Sequence, residues 1–70
     1  MDVRRKLAAN MKRLRKDHGW SQERLADEAS LDRTYISGIE RMTRHPTITS
    51  VQKIVDALGS SFSELLDRAP

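Results

Sequence analysis

Two short stretches with helical patterning are separated by only Ala29-Ser30-Leu31, and that spacing limits the fold more than any other feature of the chain. A connection this tight prevents antiparallel stacking, so the two helices must cross steeply. Ser21 is a good cap for the first, which runs to about Glu28 with Leu25, Ala26 and Ala29 facing inward. Asp32 can cap the second, where Tyr35, Ile36 and Ile39 are available to pack. Leu25, Leu31, Ile36 and Ile39 form an apolar wedge behind the corner, and Ala26 is small where the second helix presses closest.

The remaining segments are helical in pattern as well. Val3, Leu7, Met11 and Leu14 recur at four, four and three residues, one face of a helix. Asp2 can cap that helix, and His18-Gly19 can stop it after a basic last turn. Arg44-His45-Pro46 marks a loop, because the residue before proline avoids the helical region. Thr47 then caps a fourth helix with Ile48, Val51, Ile54, Val55 and Leu58 inward, closed by Gly59. Ser61 and Glu64 have capping-box spacing and open a last short helix with Phe62, Leu65 and Leu66. The expectation is a compact all-α domain of five helices spanning residues 1–70, with the tight two-helix motif at about 21–40.

Composition removes several classes of function. Seventy residues leave room for one small domain, and the absence of cysteine excludes disulfides, thiolate metal sites and cysteine nucleophiles. That absence also fits a reducing, cytoplasmic setting. No apolar run exceeds three residues, so neither a transmembrane helix nor a signal peptide is expected. Two widely spaced histidines and no H-E-x-x-H offer no metal site, and neither a phosphate-binding glycine loop nor a G-x-S-x-G elbow occurs. The carboxylates fall at helix starts and on exposed faces, where dipole and solubility explain them. We expect no enzyme, no cofactor and no metal. Charge is more informative. Residues 1–20 carry seven Lys/Arg against Asp2 and Asp17, whereas residues 21–40 carry two against five carboxylates. A net charge of +3, with basic segments flanking an acidic one, suggests a polyanionic partner, although a solvated mixed-charge surface would look the same.

The first turn of the third helix, Arg33-Thr34-Tyr35, is polar and outward-facing just after its cap. With the steep corner behind it, this is the geometry of a helix-turn-helix, whose second helix places its N-terminal residues in the DNA major groove. Lys12-Arg13-Leu14-Arg15-Lys16, Gly19-Trp20-Ser21-Gln22-Glu23 and Leu25-Ala26 resemble the opening of Xre/Cro/C1-type regulators. Leu31 to Arg41, then Pro46, Val51, Ala57-Leu58-Gly59 and Ser63-Glu64-Leu65-Leu66, continue that resemblance in order and spacing over residues 5–67. The length and the run from Leu31 to Arg41 look most like the controller proteins of restriction–modification systems. The resemblance implies a lambda-repressor-like fold and a transcriptional repressor or activator that binds double-stranded DNA. Two positions depart from the family pattern, with Ser30 in the turn and Met42 after the recognition helix where glycine is usual. If those backbones need positive φ, each costs on the order of 1 kcal/mol.

Arg33 has the planar fork that bonds O6 and N7 of guanine, unless it pairs instead with Asp32 or Asp27. Thr34 can meet a thymine methyl or a phosphate, and Ser37 follows one turn on. Many family members have a long polar side chain where this chain has Gly38, so less sequence is read there or the backbone comes closer. The resemblance implies that Gln22 bonds a phosphate, continued along the backbone by Tyr35, Arg41, Arg44, His45 and the helix start at Thr47, Thr49 and Ser50. It also implies a partly buried, structural ion pair between Arg15 and Glu40.

With no second domain, a homodimer would form through the fourth and fifth helices, where Phe62, Leu65, Leu66 and Val55 offer apolar surface unless they only close the core. Glu23 and Asp27 share an exposed face beside the expected DNA edge. Matching acidic residues in a phage repressor of the family touch RNA polymerase, while the simpler account is helix dipole and solubility. The rival to a DNA-binding regulator is an antitoxin-like adaptor that grips another protein and would not need Arg33. Membrane-surface binding is disfavoured, since the first helix lacks bulky aromatic anchors.

Overall fold

The computed structural model describes residues 3–66. Five helices follow in order: α1 (Val3–Asp17), α2 (Gln22–Ala29), α3 (Arg33–Glu40), α4 (Ile48–Leu58) and α5 (Phe62–Leu66). Asp2, the cap expected for α1, lies outside the described residues. The other helix starts are held by their own side chains. Ser21 Oγ accepts from Arg24 N at 3.0 Å, Asp32 Oδ1 from Thr34 N at 2.7 Å, and Thr47 Oγ1 from Ser50 N at 3.0 Å. Ser61 Oγ accepts from Glu64 N at 3.0 Å, while the Glu64 carboxylate takes the Ser60 hydroxyl at 2.9 Å. Each such cap satisfies a backbone N–H that the helix itself cannot.

α1 packs against α5 and α3, α2 against α3 and α4, and α4 against α5. Leu7, Met11, Leu25, Ile36, Ile39, Ile54, Leu58 and Leu65 fill the space between them, with Ala26 and Ala29 keeping α2 close to its neighbours. Two expected inward residues point elsewhere. Val3 is 54% exposed and Ile48 81% exposed, because both occupy the first turn of their helices, where no further element covers the stripe that continues behind them. Asn10, which periodicity did not single out, is fully buried, and its Nδ2 donates to Leu65 O at 2.8 Å across 55 residues of chain. Where α1 stops, Gly19 takes φ +73°, and His18 lies with Nε2 3.0 Å from Leu58 O. A carbonyl only accepts, so that contact places the proton on Nε2.

The turn geometry at the two departures from the family pattern is left-handed in both cases, with φ +57° at Ser30 and +64° at Met42. At Ser30 the left-handed turn brings Leu31 N to Ala26 O at 2.8 Å and thereby closes the end of α2. Ser30→Gly removes the side-chain penalty of that region and retains the turn, although glycine gains entropy in the unfolded chain. The expected net gain is up to about 1 kcal/mol. In a domain of this size that raises the thermal midpoint by a few degrees, measured by circular dichroism. Met42→Gly should gain less, because the partly buried Met42 side chain is lost with it. A lowered midpoint for Ser30→Gly would contradict the strain argument.

Candidate nucleic-acid interface

The outward face of α3 carries Arg33 and Thr34, both exposed, and Ser37, half-buried one turn later. The Arg33 side chain makes no hydrogen bond or ion pair with any described residue; neither Asp32 nor Asp27 holds it. Its guanidinium is therefore free to meet a ligand. Asp32 is occupied by its cap instead. The Thr34 N–H and hydroxyl hold its carboxyl below the usual carboxylate range, with a smaller contribution from the nearby Arg44 charge.

Tyr35 connects α3 to the start of α4. Its hydroxyl oxygen accepts from Thr47 N at 3.2 Å. Burial pushes the phenol up, but hydrogen bonding to Ser50 and Thr47, with the Arg44 charge, outweighs that and lowers it. Arg44 in turn places its guanidinium 5.9 Å from the centre of the Tyr35 ring. Leu31, Asp32, Thr34, Tyr35, Arg44 and Ser50 line an open cleft of about 540 Å³. Thr34, Tyr35, Arg44 and Ser50 therefore share one concavity with the Asp32 carboxylate beside the first turn of α3. Arg41, His45, Thr47 and Thr49 are exposed, and Ser50 is half-buried. His45 also meets α1, with Arg4 Nη1 3.2 Å from its Nε2.

Behind α3 sits a closed polar junction. Arg15 donates from Nε to Glu40 Oε2 at 2.8 Å, from Nη2 to Glu40 Oε1 at 3.1 Å, and from Nη1 to Trp20 O at 2.8 Å. The side chains of Arg15 and Glu40 are only 10% and 4% exposed. Gln22 Nε2 donates to the same Glu40 carboxylate at 3.1 Å. Thus α1, α2 and α3 meet at one carboxylate, and Gln22 is half-buried with one amide proton committed. Nearby, Arg24 lies 5.1 Å over the Trp20 ring while pairing with Glu28 at 2.9 Å.

The residues expected at a dimer interface separate into two groups. Val55, 5% exposed, and Leu65, fully buried, are consumed by the core, because they fall in the middle of the faces that α4 and α5 turn toward each other and toward α1. Val55 leaves little surface, and Leu65 none, outside the core of this copy. Phe62 and Leu66 are half-buried and line an apolar cleft of about 210 Å³, with Val3, Leu7, Pro46, Ile48 and Val51. Ile48 is exposed rather than core, and its place next to the Thr47 cap is the sequence signal that it lies at an uncovered end. Glu23 and Asp27 are exposed on α2, four residues apart, and neither pairs with a described residue. Among the described residues no cluster of His, Asp or Glu could hold a metal ion, and no helix is long and apolar enough to cross a membrane.

A steep two-helix corner, with a buried polar junction behind and an exposed polar first turn in front, defines a helix-turn-helix protein. Residues 11–65 match the helix-turn-helix family model, and the chain belongs to that family. It is 43% identical over 65 residues to a hypothetical transcription factor of Neisseria meningitidis, covering 93% of this chain and 61% of the relative. A crystal structure of a hypothetical Neisseria transcription factor, also 43% identical, superposes with a TM-score of 0.89 over 93% of this chain and 75% of the other. Control protein C.SmaI of Serratia marcescens is 38% identical over 68 residues, covering 97% of this chain and 81% of that protein. The restriction–modification controller protein C.Esp1396I, solved as a tetramer in complex with its natural 35-base-pair operator, is 42% identical. It superposes with a TM-score of 0.81, covering 89% of this chain and 82% of that one. The chain thus spans about three fifths of the length of the Neisseria meningitidis relative and most of the length of the controller proteins.

Proposed function

We propose that this protein is a sequence-specific transcriptional regulator that binds double-stranded DNA as a symmetric dimer, of the type that controls restriction–modification systems. The observation that carries the reading is Arg33, exposed and uncommitted on the first turn of α3, next to a cleft lined by Thr34, Tyr35, Arg44 and Ser50 with Leu31 and Asp32. A protein-gripping adaptor would have no use for such a fork. The controller proteins it resembles, one of them solved on its operator, support DNA as the ligand. Phosphate contact falls to Thr47, Thr49 and Ser50 at the start of α4, with Arg41, His45 and the second amide proton of Gln22. Selection of bound duplexes from a random pool tests this reading. The expected result is a two-fold symmetric site with half-sites about 34 Å apart. Failure to enrich any sequence over a scrambled control would overturn it.

The second copy is expected on the cleft between α1, α4 and α5. A two-fold contact brings one patch onto itself, so the patch must hold both a protrusion and a recess. Ile48, 81% exposed, is the protrusion, and the cleft lined by Phe62 and Leu66 beside it is the recess. Ile48→Asp should therefore shift the protein to monomer in analytical ultracentrifugation while leaving its helical content unchanged, since the side chain makes little contribution to the core. An unaltered sedimentation coefficient for a dimeric wild type would place the interface elsewhere.

A further inference from the structure

We propose that Asn10 is a positioning residue for the dimer surface: its buried amide holds α5 at the one rotation that presents Phe62 and Leu66 to a second copy. The inference rests on the dimeric reading above and names what keeps the recess of that surface in shape. Asn10 lies on the core-facing side of α1, three residues after Leu7 and four before Leu14, and is fully buried. Asparagine is a poor helix former, and burying its amide costs free energy unless its polar atoms are bonded. Both ends are bonded here. Nδ2 donates to Leu65 O at 2.8 Å, and Oδ1 accepts from Arg13 Nη2 at 3.4 Å. The other terminal nitrogen of Arg13 reaches the Asp17 carboxylate at 3.8 Å. The amide is thereby oriented, since the reverse placement would set its oxygen against the Leu65 carbonyl.

Leu65 O belongs to the last turn of a five-residue helix, where a carbonyl has no N–H partner within the helix. Asn10 supplies that donor from α1. The start of α5 is held separately, by Ser61 Oγ on Glu64 N and by the Ser60 hydroxyl on the Glu64 carboxylate. The Leu65 side chain is fully buried as well, but apolar burial is non-directional and lets a short helix roll. A hydrogen bond fixes direction as well as distance. Phe62 and Leu66, three residues before Leu65 and one after, line the apolar cleft with Leu7, Pro46, Ile48 and Val51. A roll of α5 about Leu65 therefore moves both at once. The shape of the recess that Ile48 would enter across the two-fold thus depends on one amide that is itself sealed from the second copy.

The test measures the monomer–dimer equilibrium of wild type, Asn10→Leu and Asn10→Ala by analytical ultracentrifugation, below the thermal midpoint of each. Leucine keeps the branch at Cγ without the donor; alanine is smaller and the better helix former, and serves if leucine overfills the site. Each protein is also titrated with a duplex carrying one half of the selected site, which engages a single α3. Losing a neutral hydrogen bond shifts the placement of α5 by up to about tenfold, and a two-fold dimer needs both protomers in place, so the loss enters twice. The variants should dimerise about ten- to 100-fold more weakly, with helical content and single-half-site affinity unchanged. A bond that serves folding alone would lower the midpoint and leave the dissociation constant of the folded dimer at its wild-type value, which would overturn the proposal. Parallel loss of helical content or of half-site binding in both variants would overturn it too, because Asn10 would then support the whole domain and not α5. A wild type that stays monomeric at every concentration would instead overturn the dimeric reading itself.

Discussion

Arg15→Ala is expected to destabilise the protein by about 3–5 kcal/mol, the range measured when one partner of a buried ion pair is removed. Arg15 spends three donors on Glu40 and on the Trp20 carbonyl, and Glu40 is 4% exposed. Without the guanidinium, the carboxylate keeps only the Gln22 amide, and the Trp20 carbonyl loses its side-chain donor. A domain of this length has about 4–10 kcal/mol of total stability, so the loss approaches the whole of it. Thermal and urea melts of the variant measure the effect. A midpoint equal to wild type would show that the junction is solvated. Replacing Arg15 and Glu40 together by apolar residues of similar volume should cost much less than the single change, because no charge is left behind.

Arg33→Ala is expected to do the opposite, leaving stability intact and removing discrimination. The side chain is exposed and makes no hydrogen bond or ion pair with a described residue, so folding has little to lose. A bidentate arginine–guanine contact contributes roughly 1–3 kcal/mol of base discrimination, or about five- to 150-fold in preference for the cognate base. Non-specific binding should persist through Thr47, Thr49, Ser50 and the flanking basic side chains, with little change in salt slope. Competition between operator and scrambled duplexes, at fixed ionic strength, measures the ratio. A variant that discriminates as well as wild type would remove Arg33 from the reading surface.

What the sequence made legible, and what it hid, divides along chain distance. The caps at Ser21, Asp32, Thr47 and Ser61 were readable because a cap and its partner N–H lie two or three residues apart. The Arg15–Glu40 pair spans 25 residues, and only resemblance to a family pointed to it. Asn10 and His18 bond the Leu65 and Leu58 carbonyls 55 and 40 residues away, and no local pattern announces a backbone acceptor at that range. Periodicity placed the right face of α1 and α4 inward but could not show where neighbouring helices end, so Val3 and Ile48 were misassigned. At the reading surface, Gly38 was visible as a missing side chain. That Arg44 fills the gap depends on the course of the loop between α3 and α4, which is fixed by bonds to the Gly38 carbonyl.

The junction at Glu40 ties α1, α2 and α3 through a single carboxylate, so the recognition helix cannot tilt or slide without breaking it. In the proposed dimer on a two-fold operator, each α3 would move only with its whole domain, so part of the adjustment would fall to the duplex. Base pairs between the half-sites, which no side chain need touch, would affect affinity through how readily they bend and twist. Flexible pyrimidine–purine steps and stiff A-tracts in that spacer should bind with different strength although every contacted base is the same.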